Sequence, residues 1–176
     1  KILPYTFAMM SIGSFSLVGF PFLTGFYSKD VILEVAFARY TWDSSFAYLF
    51  GSICVAFTSY YSFRLLFLTF IAPTNAYKST VKAAHDAPFV LALPLFLLSI
   101  GSIFVGYLAK DMMIGIATPF WSNAIFVLPQ NNVLLESEFI PQSVKFLPLI
   151  ATFSGAVIAY FFAIYSPATS FKIKEI

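Results

Sequence analysis

Lys29 and Asp30 are adjacent charges set in an apolar stretch, and Glu34 follows four residues later. A Lys or Asp near the centre of a bilayer costs roughly 2.5–3.5 kcal/mol on insertion scales, so such residues face a bundle interior or water and mark ion or proton paths. A lysine in a low-dielectric site holds its proton less tightly, and a nearby carboxylate restores the hold. A Lys–Asp pair whose separation changes can therefore load and release a proton. Glu34 lies one helical turn after Asp30, on the same face.

Other polar residues are secondary candidates. Arg64 stands late in an apolar run, with Tyr60 and Tyr61 one turn earlier. Those hydroxyls offer polar company, so Arg64 is expected to point into the protein; snorkelling to the headgroups is the competing expectation. His85 with Asp86 reads as a helix cap before Pro88, and Lys110 with Asp111 as a solvated helix end. Gly101 and Gly106 are expected to permit close helix packing, and Cys54 to be a packing residue.

Several chemistries are excluded. There is no glycine-rich nucleotide or phosphate loop. One histidine and one cysteine leave no metal centre, iron–sulfur cluster or intrachain disulfide within the chain. A net charge of +2 without a basic patch gives no nucleic-acid surface.

The elements that must carry these residues are membrane helices. Of the 176 residues only 10% are charged, against about 25% in an ordinary soluble domain. The mean hydropathy is +0.86, so lipid must cover much of the surface. A span needs roughly 20 apolar residues. The first apolar region, Thr6 to Ala38, is too long for one straight crossing and contains Gly19, Pro21 and Gly25. It is expected to be one crossing built of two half-helices, with a break near Pro21 to Ser28 marked by Pro21 and Gly25. If instead the span is Thr6 to Phe26, Lys29 and Asp30 become interfacial anchors.

Further spans are expected at about 46–71, 88–108 and 146–165. The connection Lys110 to Lys145, with Pro119, Trp121, Phe126, Pro129 and the polar run Gln130-Asn131-Asn132, is too interrupted to cross and reads as an interfacial loop. The fold class is thus all-α, a polytopic bundle of about four crossings with the first discontinuous. Lys1, Lys78, Lys82, Lys172 and Lys174 fall on one side and Arg39, Lys110 and Lys145 on the other, which turns the first side towards the cytoplasm or matrix. The chain begins at Lys1 rather than Met, and is expected to be a fragment or a processed product.

The run Val18-Gly19-Phe20-Pro21-Phe22-Leu23-Thr24-Gly25-Phe26-Tyr27-Ser28-Lys29-Asp30 closely resembles the subunit 5 family of mitochondrial NADH dehydrogenase, the distal antiporter-like subunit of complex I. Thr58-Ser59-Tyr60-Tyr61-Ser62-Phe63-Arg64 and His85-Asp86-Ala87-Pro88 look like that family's next two helices. The resemblance covers essentially the whole chain and falls on the C-terminal part of the family. It implies that Lys29 is a central proton-transfer residue with Asp30 beside it, in a multi-pass protein of the mitochondrial inner membrane with its C-terminal tail towards the matrix. It further implies other membrane-arm subunits and the family's N-terminal part as partners, with lipid around them. FMN, iron–sulfur clusters and ubiquinone belong to the complex, with none in this chain. A component of a multisubunit cation/proton antiporter, or a structural membrane piece without a pumping role, are the alternatives.

Overall fold

The computed structural model describes residues 3–73, 76–115, 118–122, 124, 128 and 133–165. Helix α1, Pro4–Val18, begins with proline in its first turn, where a missing N–H costs nothing. It ends because Gly19 turns left-handed, at φ 88°. The Phe20 N–H then donates to the Phe15 carbonyl at 3.0 Å, and the Gly19 N–H to the Ser16 carbonyl at 3.2 Å. This is the Schellman closure that glycine favours.

A tight turn follows. The Leu23 N–H donates to the Phe20 carbonyl at 3.2 Å, with Pro21 second in the turn. Phe22 occupies the third position at φ 72°, a conformation that type II turns ordinarily give to glycine. Helix α2, Thr24–Ala38, starts immediately afterwards.

The first crossing is therefore broken, but the unwound stretch is Gly19 to Leu23 rather than Pro21 to Ser28. Gly25 is not part of the break. It sits in the first turn of α2, where an added Cβ would collide with the Ser16 carbonyl, so its role is close approach of the two half-helices. Each half has 15 residues. That is about 22 Å at 1.5 Å per residue, too short to cross a hydrocarbon core of about 30 Å alone.

Helix α3 runs Trp42–Leu66 and widens into π geometry over Phe67–Ile71. Thr41 and Ser44 close its start as a capping box. A short α4, Lys78–Ala83, leads to α5, Phe89–Met113, which carries Pro94 inside it. The connection contains α6, Val133–Glu136, and one 3-10 turn, Ser137–Phe139. Among its described residues there is no crossing. Trp121 is half exposed there and donates its indole N–H to the Met113 carbonyl at 2.9 Å. Phe126, Pro129 and the Gln130-Asn131-Asn132 run lie outside the described residues, as do Lys1 and the tail from Pro167 to Ile176. Helix α7, Gln142–Tyr160, continues through Phe161–Tyr165 in π geometry.

Three helices are long and apolar enough to span singly: Trp42–Ile71, Phe89–Met113 and Gln142–Tyr165. Together with the α1–α2 pair they make a helical membrane bundle. Pairings fix its directions. Leu33 meets the Gly51 position and Phe7 the ring of Phe70, so α3 runs antiparallel to α1 and α2. The Tyr48 hydroxyl donates to the Val144 carbonyl at 3.2 Å and the Phe67 ring meets Tyr160, so α7 runs parallel to α3. The α3–α7 seam is lined with small residues. Gly155 lies against Ala56 and Ser59, and Ser59 donates to the Thr152 carbonyl at 2.5 Å. Lipid offers no hydrophobic drive between helices, so close backbone contact of this kind holds them.

Candidate functional site

Lys29 lies in the second turn of α2 and its chain folds back over the break. Its Nζ donates to the Val18 carbonyl at 3.4 Å, the last carbonyl of α1. A helix C-terminus carries partial negative charge from its unpaired carbonyls, so the lysine amine closes the first half-helix. Lys29 borders a cavity of about 560 Å³ shared with Gly13, Ser16, Thr58, Tyr61 and Ser102.

Asp30 does not share that cavity. Successive helical residues are rotated by about 100°, so neighbours in sequence do not face each other. Asp30 and Glu34 instead open onto a second cavity of about 320 Å³, between α2, the end of α5, the Ser137–Phe139 turn and the start of α7. Lys110, Asp111, Glu138 and Lys145 line the same space. The Lys–Asp pair expected from the sequence is therefore two neighbouring groups that line different cavities. The Asp30–Glu34 face is as the spacing predicts.

Sequence reasoning passed over Glu138 and Lys145, because they come from a connection and a helix start more than 100 positions away, with no motif between them. It noticed Lys110 and Asp111 only as a helix end. Lys145 is steadied by donating to the Glu138 backbone carbonyl at 2.9 Å. Lys110 Nζ lies 5.9 Å from the ring centroid of Tyr27, within cation–π range.

Thr24 couples this face to α5. Its hydroxyl donates to the Gly101 carbonyl at 2.9 Å and accepts the Gly106 N–H at 3.0 Å. An added Cβ at Gly106 would strike the Thr24 backbone, whereas one at Gly101 would make only an ordinary contact with Val105. Close packing is thus the role of Gly106, and Gly101 supplies a carbonyl.

Residues 1–58 match the family described as NADH:quinone oxidoreductase/Mrp antiporter, TM. Over 161 residues, 91% of its length, the chain is 61% identical to NADH-ubiquinone oxidoreductase chain 5 of Marchantia polymorpha. It is 60% identical over 89% of its length to the chain 5 of Triticum aestivum, and 53% identical over 92% to that of Phytophthora infestans. The chain belongs to the NADH-ubiquinone oxidoreductase chain 5 family. It spans 24% of the length of the Marchantia and Triticum relatives and 25% of the Phytophthora one.

Three secondary expectations change in this chain 5 family member. Arg64 is exposed in the last turn of α3, and among the described residues it makes no hydrogen bond or ion pair. It does not point into this bundle, because Ser59, Ser62 and Leu66 take the buried face at that level and leave Arg64 on the outer one. Tyr60 is half-buried without a hydroxyl partner among the described residues, and Tyr61 is the tyrosine that borders the Lys29 cavity. Cys54 is exposed on α3 rather than packed.

Asp86 is a cap, but of a different helix from the one expected. Helix α5 has no side-chain cap, its N-cap position being Pro88. Asp86 reaches across to α1, accepting the Tyr5 and Thr6 N–H groups at 3.3 Å each and the Thr6 hydroxyl at 3.0 Å. Desolvation pushes this carboxyl up, but the bonds from Thr6 and Tyr5 outweigh it and hold it below the usual carboxylate range.

Proposed function

We propose that this segment works in the proton-translocating membrane arm of respiratory NADH:ubiquinone oxidoreductase, complex I, with Lys29 and Asp30 in the proton path. The observation that carries the reading is Lys29 and Asp30 just behind the unwound Gly19–Leu23 turn, each opening onto a different cavity. A broken helix places free carbonyls and a free N-terminal turn at membrane depth, where ionisable groups can be satisfied without lipid contact.

In this reading Lys29 takes a proton from the α1–α3–α5 side while its ammonium is held by the Val18 carbonyl. Release passes the proton around α2 to Asp30 and then to Glu34. Water and hydroxyls such as Thr58 and Ser102 serve as the relay on the loading side. As part of that enzyme the segment is a subunit piece of an NADH:ubiquinone reductase. FMN, iron–sulfur clusters and ubiquinone belong to other subunits by family resemblance. Its partners are the other membrane-arm subunits and the remainder of subunit 5. Its place is the mitochondrial inner membrane, with the tail on the matrix side.

A multisubunit cation/proton antiporter component is the second reading, favoured by the family description over residues 1–58. The chain 5 relatives, matching about nine-tenths of the chain, favour complex I. The test is proton uptake per NADH in vesicles carrying the assembled complex. Lys29→Ala is expected to cut pumping and, with tight coupling, to slow quinone reduction. Lys29→Arg is expected to rescue only in part, because arginine hardly ever releases its proton. Wild-type stoichiometry and turnover in Lys29→Ala would overturn the assignment.

A further inference from the structure

Helix α2 starts without a side-chain cap, since Leu23 at its N-cap offers no oxygen. Its first turn is fixed by neighbouring helices instead. Gly25 lies close against the Ser16 carbonyl of α1, and Thr24 grips α5. One hydroxyl makes both bonds of that grip, donating to the Gly101 carbonyl at 2.9 Å and accepting the Gly106 N–H at 3.0 Å. Hydrogen bonds are directional, so two of them to the backbone of one helix fix the rotation of α2 as well as its height. Further along the same pair of helices the rings of Tyr27 and Tyr107 meet with centroids 6.2 Å apart, a contact without that direction. The charged crevice of Asp30 and Glu34 opens beyond them.

Lys29 lies five residues after Thr24, about 140° round the helix. Thr24 bonds to α5, whereas the half-buried Lys29 chain is laid on the end of α1. A Cβ added at Gly19 would stand 3.7 Å from Lys29 Cδ, so the lysine stem passes over the glycine that ends α1. The Lys29 Nζ then donates to the Val18 carbonyl at 3.4 Å, a bond at the long end of the useful range. Side-chain tips lie about 5–6 Å from a helix axis, so a rotation of α2 by about 30° carries them about 3 Å. A slip of that size takes the amine off the end of α1.

We infer that Thr24 is a positioning residue for Lys29: its hydroxyl fixes the rotation of α2 against α5 and so keeps the lysine amine on the last carbonyl of α1. Both residues border the same cavity, and Thr24 acts on Lys29 through the helix. The inference rests on the proton-path reading above.

The test measures protons pumped per NADH by the assembled complex in vesicles. Thr24→Val keeps the shape of the side chain and loses the hydroxyl. It is expected to lower the ratio towards that of Lys29→Ala, and Thr24→Ser, which restores the hydroxyl, is expected to pump nearly as the wild type. The deciding measurement repeats both changes in the Lys29→Ala background, where neither is expected to lower the ratio further. A merely structural role would cost pumping in both backgrounds alike. Thr24→Ala removes the hydroxyl with less bulk against Gly106 and replaces the valine variant if that one fails to assemble. Normal pumping in the hydroxyl-free variants would overturn the inference. So would Thr24→Ser pumping as poorly as they do, or a further loss in the Lys29→Ala background. The proton path stands in each of these cases, because its own failure is seen separately, as normal pumping in Lys29→Ala alone.

Discussion

Asp86 shows how a single carboxylate can close a helix to which it does not belong. The first turn of α1 leaves N–H groups unpaired, and Leu3 at its N-cap has no side-chain oxygen to offer. Asp86 supplies the acceptor, and the Tyr5 hydroxyl, donating to the Ala92 carbonyl at 2.6 Å, ties the same end of α1 to α5. The folded carboxyl is held below its ordinary range, so its contribution is complete above the unfolded value of about 3.9 and is lost as pH falls through the lower folded value. Amide exchange at Tyr5 and Thr6 is therefore expected to stay protected, without pH-dependent opening, down to about pH 4. Asp86→Ala is expected to lose that protection at every pH. Hydrogen exchange of the segment containing these amides checks both, and unchanged protection in the variant would remove Asp86 from the cap. No sequence pattern announces this contact. Asp86 before Pro88 reads as a local cap, and only the antiparallel return of α3 brings it beside Tyr5.

At the scale of elements, the broken crossing depends on residues with opposite duties. Gly19 and Pro21 end α1 and make the turn, whereas Gly25 and Gly106 let α2 approach α1 and α5. Overpacking a tight helix contact typically costs about 1–3 kcal/mol. Gly106→Ala places a methyl against the Thr24 backbone and is expected to destabilise the assembled protein by about that amount. Gly101→Ala, five residues earlier in the same helix, is expected to cost under about 0.5 kcal/mol, as an uncrowded substitution does. Thermal stability of the two variants in matched membranes checks the contrast, and equal losses would mean that the Thr24 contact is not what constrains α5. The existence of four crossings and of a break was legible from length, hydropathy, Pro21 and the glycines. The break's exact extent was not, because a glycine that ends a helix and one that admits a neighbour look alike in sequence. The charged crevice was half legible: Asp30 and Glu34 share a face by spacing, but the lysines opposite them are set by how α5 and α7 come together.

At the scale of the molecule, the bundle has two ends. Helix α1 starts, α3 finishes, α5 starts and α7 finishes at one end, with α4 between. Helix α2 finishes, α3 starts, α5 finishes and α7 starts at the other, where the charged crevice opens. Lys29 and Asp30 line different cavities from α2 between these ends, so on the proposed path a proton changes cavities at α2. We propose, from the Lys and Arg count, that the α4 end faces the matrix. In that orientation the crevice opens towards the intermembrane space. Single-cysteine labelling tests the arrangement, starting from Cys54→Ser because the native thiol is exposed on α3. In right-side-out mitoplasts, a membrane-impermeant thiol reagent is expected to label Glu138→Cys quickly. Val31→Cys, which lines the crevice from α2 and is half-buried, should react more slowly but from the same side. Thr80→Cys, exposed on α4, should react only once the membrane is opened. Labelling of Thr80→Cys in intact mitoplasts with Glu138→Cys protected would invert the orientation and make the crevice an entry. Labelling of Val31→Cys from the side that reaches Thr80→Cys would dismiss the division of the path between two faces of α2.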